Sequence, residues 1–267
     1  MFSNLFNKIR NKLMGLHALK VGDYSYKIPT DMAWCFSSGD YYEKNVIFWI
    51  DKIIGQLSEP VIYDIGANYG YYTLRYAPIA KHVYSFEPVT KTFRFLSKNI
   101  KFNKIKNVTL FKFGLSEISE TRRINLYNSS GNNSLFARKV PDGHPLKKVG
   151  EEAIKLERLD DITAERKLYP PSFMKIDVEG AELFVLKGAE RIILEFKPVI
   201  IMEYSANTSS DAGYQAKELI QQLISLGIYK LFGLTSDDND LRLIPFNEFS
   251  SYDIANIIAV PEKLSIA

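Results

Sequence analysis

Sulfur and imidazole chemistry are nearly absent from this 267-residue chain. Its one cysteine, Cys35, cannot close an intrachain disulfide, and His17, His82 and His144 are scattered without zinc-ligand spacing. A disulfide framework and a histidine-based metal site are both excluded, and no metal is assigned. No apolar run reaches the roughly 18 to 20 residues that span a bilayer, and the amino terminus lacks the continuous apolar stretch of a secretory signal. The expected location is the cytoplasm. A dominant charge is missing too: 34 Lys and Arg face 31 Asp and Glu, a formal net charge of +3. That balance argues against a dedicated nucleic-acid binder, and no nucleic-acid partner is expected. With 46% hydrophobic and 24% charged residues the composition is that of a globular protein, which excludes intrinsic disorder.

What charge there is lies unevenly. Residues 1–20 carry Lys8, Arg10, Lys12 and Lys20 and no acid, while the remaining 30 basic and 31 acidic residues nearly cancel. Phe2, Leu5, Phe6, Ile9, Leu13 and Leu16 recur at spacings of three or four, which predicts an amphipathic basic helix. Such a helix either packs its apolar stripe on the domain, the commoner use, or docks peripherally on an anionic membrane. Residues 1–34 are read as this helix and its extension, and 35–267 as one domain.

From Pro60 onward, β-rich runs alternate with helical stretches, the pattern of a mostly parallel sheet covered by helices on both faces. Strands are expected at 61–65, 82–87, 108–115, 173–177, 198–204, 229–234 and 255–260, and helices at about 70–80, 90–102, 180–195 and 212–226. The polar stretch 235–253 has no crossover helix, so the last two strands should pair antiparallel. Residues 119–160 break the rhythm with two or three β-like runs. An insertion there can lean over a ligand held at the carboxyl ends of the strands, forming an acceptor lid.

Two segments carry chemistry. VIYDIGANYGYYT (61–73) is an apolar strand, a tight turn and a helix start, with Gly66 and Gly70 letting the backbone turn and approach a ligand. Relative to the dinucleotide pattern G-x-G-x-x-G, the middle glycine is replaced by Asn68 and the third by Tyr71, which argues against a pyrophosphate. The next strand ends in Glu87, 23 positions after Asp64, where a carboxylate can accept hydrogen bonds from both ribose hydroxyls. Together they suggest an adenosyl ligand. The second segment, 173–205, delivers Asp177 at one strand end, Glu179 and Glu182 around the next helix start, and Glu203 at the following strand end. Acids in a first helical turn suit the helix dipole, so Glu182 has a structural reading; Asp177 and Glu203 at strand ends point to function.

The chain resembles the FkbM family of S-adenosylmethionine-dependent methyltransferases through DIGANYGYYT, YSFEPVTKTFRFLSKNI, KLERLDDI, KIDVEGAELFVLKGA and VIIMEYS, over roughly 39–261. The resemblance implies a class I methyltransferase (Rossmann-like) α/β fold: a seven-stranded sheet whose final strand is reversed. It implies S-adenosylmethionine as cofactor, with Asp64, Gly66, Asn68 and Gly70 lining the methionine part, Glu87 holding the ribose and Ser116 on the adenine side. It also implies a hydroxyl acceptor on a sugar, glycan or natural product. Enzymes that methylate planar amines on this fold typically carry an Asn/Asp-Pro-Pro-aromatic motif after the fourth strand, where this chain has DVEG. Methyl transfer to an alcohol needs positioning and a base. Asp177 is the first candidate, Glu203 the second and Glu179 the third, with a divalent cation held by these acids as a competing device. RNA 2′-O-methylation and a non-catalytic cofactor-binding regulator are the alternative functions; near-neutral charge counts against the first and the intact acids against the second.

Overall fold

The computed structural model describes residues 16–21, 24–29 and 43–266. It opens on two antiparallel strands, β1 (Leu16–Val21) and β2 (Tyr24–Pro29). Of the helix expected over 1–20, residues 1–15 lie outside the described residues, and 16–20 are strand. A β-prone partner a few residues downstream supplies ladder hydrogen bonds there, and pairing overrides helical periodicity. Cys35 and the 34/35 boundary also lie outside the described residues.

Helix α1 (Lys44–Ile54) leads into the alternation: β3 (Val61–Ile65), α2 (Tyr71–Tyr76), β4 (His82–Phe86), α3 (Thr90–Phe102) and β5 (Val108–Phe111). A separate small sheet follows, with β6 (Gly114–Leu115) parallel and β7 (Glu120–Tyr127) antiparallel to β8 (Lys148–Glu157). The main sheet resumes through α4 (Leu159–Glu165), β9 (Phe173–Ile176), α5 (Glu182–Gly188), α6 (Glu190–Phe196) and β10 (Val199–Glu203). It closes through α7 (Ala206–Asp211), α8 (Lys217–Ser225), β11 (Tyr229–Thr235), β12 (Ile244–Pro245) and β13 (Ile254–Pro261).

The main sheet has the order β12-β11-β13-β10-β9-β3-β4-β5, with β13 antiparallel to both its neighbours. Seven of these strands are the expected set with its reversed last strand. The eighth corrects the count: within the polar 235–253 stretch, Ile244 is buried and pairs with Gly233 of β11. Two residues are too short to leave a periodic signal. The expected 108–115 strand is also split. Gly114 leaves the main sheet to pair with Leu156, and a Cβ there would crowd the Leu156 side chain. The helix expected at 180–195 breaks at Ala189 into α5 and α6.

Alternation along the strands divides the core into two faces. Tyr63 and Ile65 of β3, Met174 and Ile176 of β9 and Ile200 and Met202 of β10 point to one cluster, which α5, α6 and α8 cover. Ile62, Phe173, Val199 and Ile201 point to the other, covered by α1 and α2. Continuing that alternation puts Asp64, Lys175 and Glu203 on the α1 face, at the carboxyl edge of the parallel strands. The apolar runs build the sheet, and its period brings the charges together.

Candidate active site

The turn after β3 is held open by backbone. Gly66 (φ 86), Asn68 (φ 48) and Gly70 (φ 91) all adopt left-handed conformations. A Cβ on Gly66 would overlap the carbonyl oxygen of Asp177, so only glycine lets the turn lie against the end of β9. Glu87 closes the other side. It is buried; Oε2 accepts from the Asn68 amide at 3.0 Å and Oε1 from the Val89 amide at 2.9 Å. Burial pushes its carboxyl up to about 7, against the pull of those two amides. Asp64 stands behind the turn. It is buried and accepts from the Thr73 hydroxyl at 2.5 Å, tying β3 to α2.

The acids after β9 and β10 have distinct partners. Asp177, with 35% of its side chain exposed, receives Lys175 Nζ on Oδ2 at 2.7 Å. Glu179 (φ 57) is paired with Arg138 of the insertion, whose Nη1 lies 3.9 Å from Asp211. Burial and the Asp177 charge push Glu179 up to about 8, with Arg138 pulling it back. Glu203 is half-buried, and its Oε2 is buried without a hydrogen-bond partner among the described residues. Burial, then the charges of Glu179 and Asp177, raise it well above the usual carboxylate range. Glu182 turns inward, accepting the amides of Val178 and Gly180, so its role is to fix this loop.

These groups share a cavity of about 710 Å³, ample for a nucleoside-sized ligand. Gly66, Asn68 and Glu87 of the first motif line it together with Asp177, Glu179 and Glu203 of the second. The loop between β7 and β8 contributes Ser130, Asn133, Arg138 and Lys139 to the wall and, besides the Arg138–Glu179 pair, is tied down by three hydrogen bonds. Ser134 Oγ donates to the Glu179 carbonyl at 2.7 Å, Ser130 Oγ to Asn68 Oδ1 at 3.4 Å, and the Lys139 amide to Asp211 at 3.2 Å. Three of the expected site residues do not reach the cavity. Asp64 and Gly70 shape the turn from behind, Gly70 being packed against Leu96. Ser116 is buried beside Gly188, and Gly114 and Leu115 line the wall in its place. Lys175 and Glu43, which sequence reasoning gave no role, do line it. The signal for Lys175 was its spacing of two from Asp177 on a strand; Glu43 had none.

Among the described residues, no group of three or more His, Cys, Asp or Glu is arranged to hold a metal ion, and no helix is long and apolar enough to cross a membrane.

Comparison with known proteins places this architecture. Methyltransferase 1 of Beauveria bassiana is 30% identical over 145 residues, covering 48% of this chain and 58% of that protein. Methyltransferase sdnD of Sordaria araneosa is 30% identical over 175 residues, 55% of this chain and 66% of that one. The hexuronic acid methyltransferase AglP of Haloferax volcanii is 27% identical over 175 residues, 65% and 66% of the two chains. The match thus spans less than two thirds of each relative's length. The crystal structure of methyltransferase FkbM from Methylobacillus flagellatus superposes with a TM-score of 0.50 at 19% identity, over 77% of this chain and 45% of that one, a likeness of fold. The family model described as the methyltransferase FkbM domain matches residues 64–229, a span from Asp64 of the glycine turn to the start of β11. The chain has a class I methyltransferase fold and belongs to the FkbM methyltransferase family, whose cofactor is S-adenosylmethionine.

Proposed function

We propose that this protein transfers a methyl group from S-adenosylmethionine to a hydroxyl of a sugar, glycan or natural-product acceptor. The observation that carries the reading is that Glu87 and Asp177 line one cavity, with the glycine turn hydrogen-bonded to the first and packed against the backbone of the second. The sulfonium cofactor supplies an electrophilic methyl group and needs no activation by the protein. The residues fit it: Glu87 is a buried carboxylate with lone pairs left for two ribose hydroxyls, and Gly66 admits a ligand where any side chain would collide. Gly66 and Asn68 line the methionine part, with Asp64 and Gly70 holding the turn's shape.

Asp177 takes the acceptor's proton. Its Oδ2 is paired with Lys175, which leaves Oδ1 to receive the hydroxyl. Glu203, raised by burial, orients the acceptor as a neutral carboxyl, and Glu179 fixes Arg138 and the loop. The 119–160 insertion forms the acceptor lid of a domain running from 35 to 267. The hexuronic acid relative supports a sugar acceptor. The protein works in the cytoplasm, and residues 1–34 are an extension whose basic stretch over 1–20 either packs on the domain or docks peripherally on an anionic membrane. An acidic rim opposes RNA phosphates, which disfavours 2′-O-methylation of RNA.

The deciding experiment is incubation of the purified protein with isotope-labelled S-adenosylmethionine and glycan and metabolite extracts from cells lacking the gene. Mass spectrometry should find a labelled methyl on a sugar oxygen. Cofactor binding without labelling of any acceptor would favour the regulatory module.

A further inference from the structure

Two opposite charges line the cavity besides the acids already described: Lys175, which pairs Asp177, and Glu43, which takes no part in the methyl transfer. Lys175 pairs in register with Asp64 of β3, so its side chain emerges next to the turn, and it lines the cavity. Its side chain is 8% exposed and its Nζ lies 4.4 Å from the centroid of the Tyr72 ring. Burial works against the ammonium, but Asp177 and Glu43 outweigh it and hold Lys175 above the ordinary lysine range. An ammonium has three N–H donors, and the bond to Asp177 uses one.

Glu43 meets the same tyrosine at its hydroxyl. It immediately precedes α1, its backbone is left-handed (φ 54), and its Oε2 accepts the Tyr72 hydroxyl at 2.5 Å. Its Oε1 keeps its lone pairs for another donor. Left-handed backbone at a glutamate costs on the order of 1 kcal/mol or more, and such strain gathers where geometry serves a ligand. Tyr72 therefore holds an ammonium over its ring and a carboxylate at its hydroxyl, both facing the cavity. Burial raises the Glu43 carboxyl, and the Lys175 charge pulls it back toward the anion. A cation and an anion held by one tyrosine are complementary to a zwitterion, and an α-amino acid is one.

We propose that Lys175 and Glu43 form the binding site for the amino-acid end of the cofactor, with the Lys175 ammonium taking the α-carboxylate and the Glu43 carboxylate taking the α-ammonium. The proposal rests on the cofactor reading above and assigns two residues that the glycine turn does not. It also explains why an acid outside the β3–α2 motif is drawn into the site.

Two ligands separate this role from a structural one. S-adenosylhomocysteine and methylthioadenosine share the adenosine and the thioether, and only the first carries the amino acid. By calorimetry on the full chain, Lys175→Met should bind S-adenosylhomocysteine about tenfold or more weakly, the scale of one charge-assisted contact. Its affinity for methylthioadenosine should be that of the wild type. Equal losses for both ligands, or no loss for the first, would overturn the assignment. Should Lys175→Met fail to fold, Glu43→Gln, which can still accept the Tyr72 hydroxyl, decides: selective loss supports the site and unchanged affinity overturns it. A wild-type protein that binds neither ligand would remove the cofactor reading and this proposal with it, an outcome distinct from a failure of selectivity.

Discussion

Around Glu87 the wall of the cavity is set by backbone, and around the acids that follow β9 and β10 it is set by side chains. Gly66, Asn68 and Gly70 adopt positive φ, and Glu87 is pinned by two main-chain amides. By contrast, Asp177, Glu179 and Glu203 are placed by ion pairs or by burial, and their roof is a loop held by Arg138 and a few hydrogen bonds. The difference teaches which part of the molecule can vary. Backbone cradles fit a ligand that never changes, whereas a loop latched by side chains can be altered to suit another acceptor without disturbing the sheet.

The sharpest break in that comparison is Gly66→Ala. An added methyl must displace the Asp177 carbonyl, so folded stability should fall by about 3 kcal/mol, read by denaturant titration, and cofactor affinity should fall with it. Unaltered stability would show that the turn is not packed against β9. Next comes Asp177→Asn, expected to lower kcat by roughly 10²-fold while cofactor affinity stays unchanged, the signature of a lost base. If Glu203→Gln abolishes turnover and Asp177→Asn does not, the base belongs on β10. Arg138→Met frees the roof from both Glu179 and Asp211. The acceptor's KM should rise about tenfold, the worth of a charge-assisted pair, with the cofactor affinity untouched; equal effects on both ligands would erase the division between the two regions.

The smallest effect concerns protons at Glu87. Burial raises its carboxyl to about 7 in the folded chain, above the ordinary glutamate range of an unfolded one. Between those limits the native state holds the proton that the unfolded state has lost, so the group favours folding at low pH and its contribution falls as pH rises toward 7. Glu87→Gln, which cannot ionise, should therefore melt a few degrees higher than the wild type at pH 8 and alike at pH 4. A constant difference across that range would show that Glu87 is not buried in its charged form.

Much of the site could be read from the chain because each half sits in a contiguous motif. The turn at 64–70 and the run from Lys175 to Glu182 state their own geometry: an apolar strand, a sharp turn and acids at its exit. The strands β3, β4, β9 and β10 were legible for the same reason, since burial on both faces leaves continuous apolar runs. Contacts across long separations were not. Nothing in the sequence around Glu43 says that a tyrosine 29 residues away will bind it. Nor does KKVGEEAIKLERL reveal that Leu156 will capture Gly114 and bend the third strand away. Ser116, expected on the adenine side, lies just past that bend, buried beside Gly188.

The central claim, that one cavity holds the cofactor at Glu87 and does its chemistry at Asp177, is tested most directly by calorimetric titration of S-adenosylhomocysteine into the wild type, Glu87→Ala and Asp177→Asn. The wild type and Asp177→Asn should bind alike, and Glu87→Ala should bind at least about tenfold more weakly, the scale of two lost hydrogen bonds to a carboxylate. Unchanged binding in Glu87→Ala, with affinity lost instead in Asp177→Asn, would contradict the account by reversing the two roles.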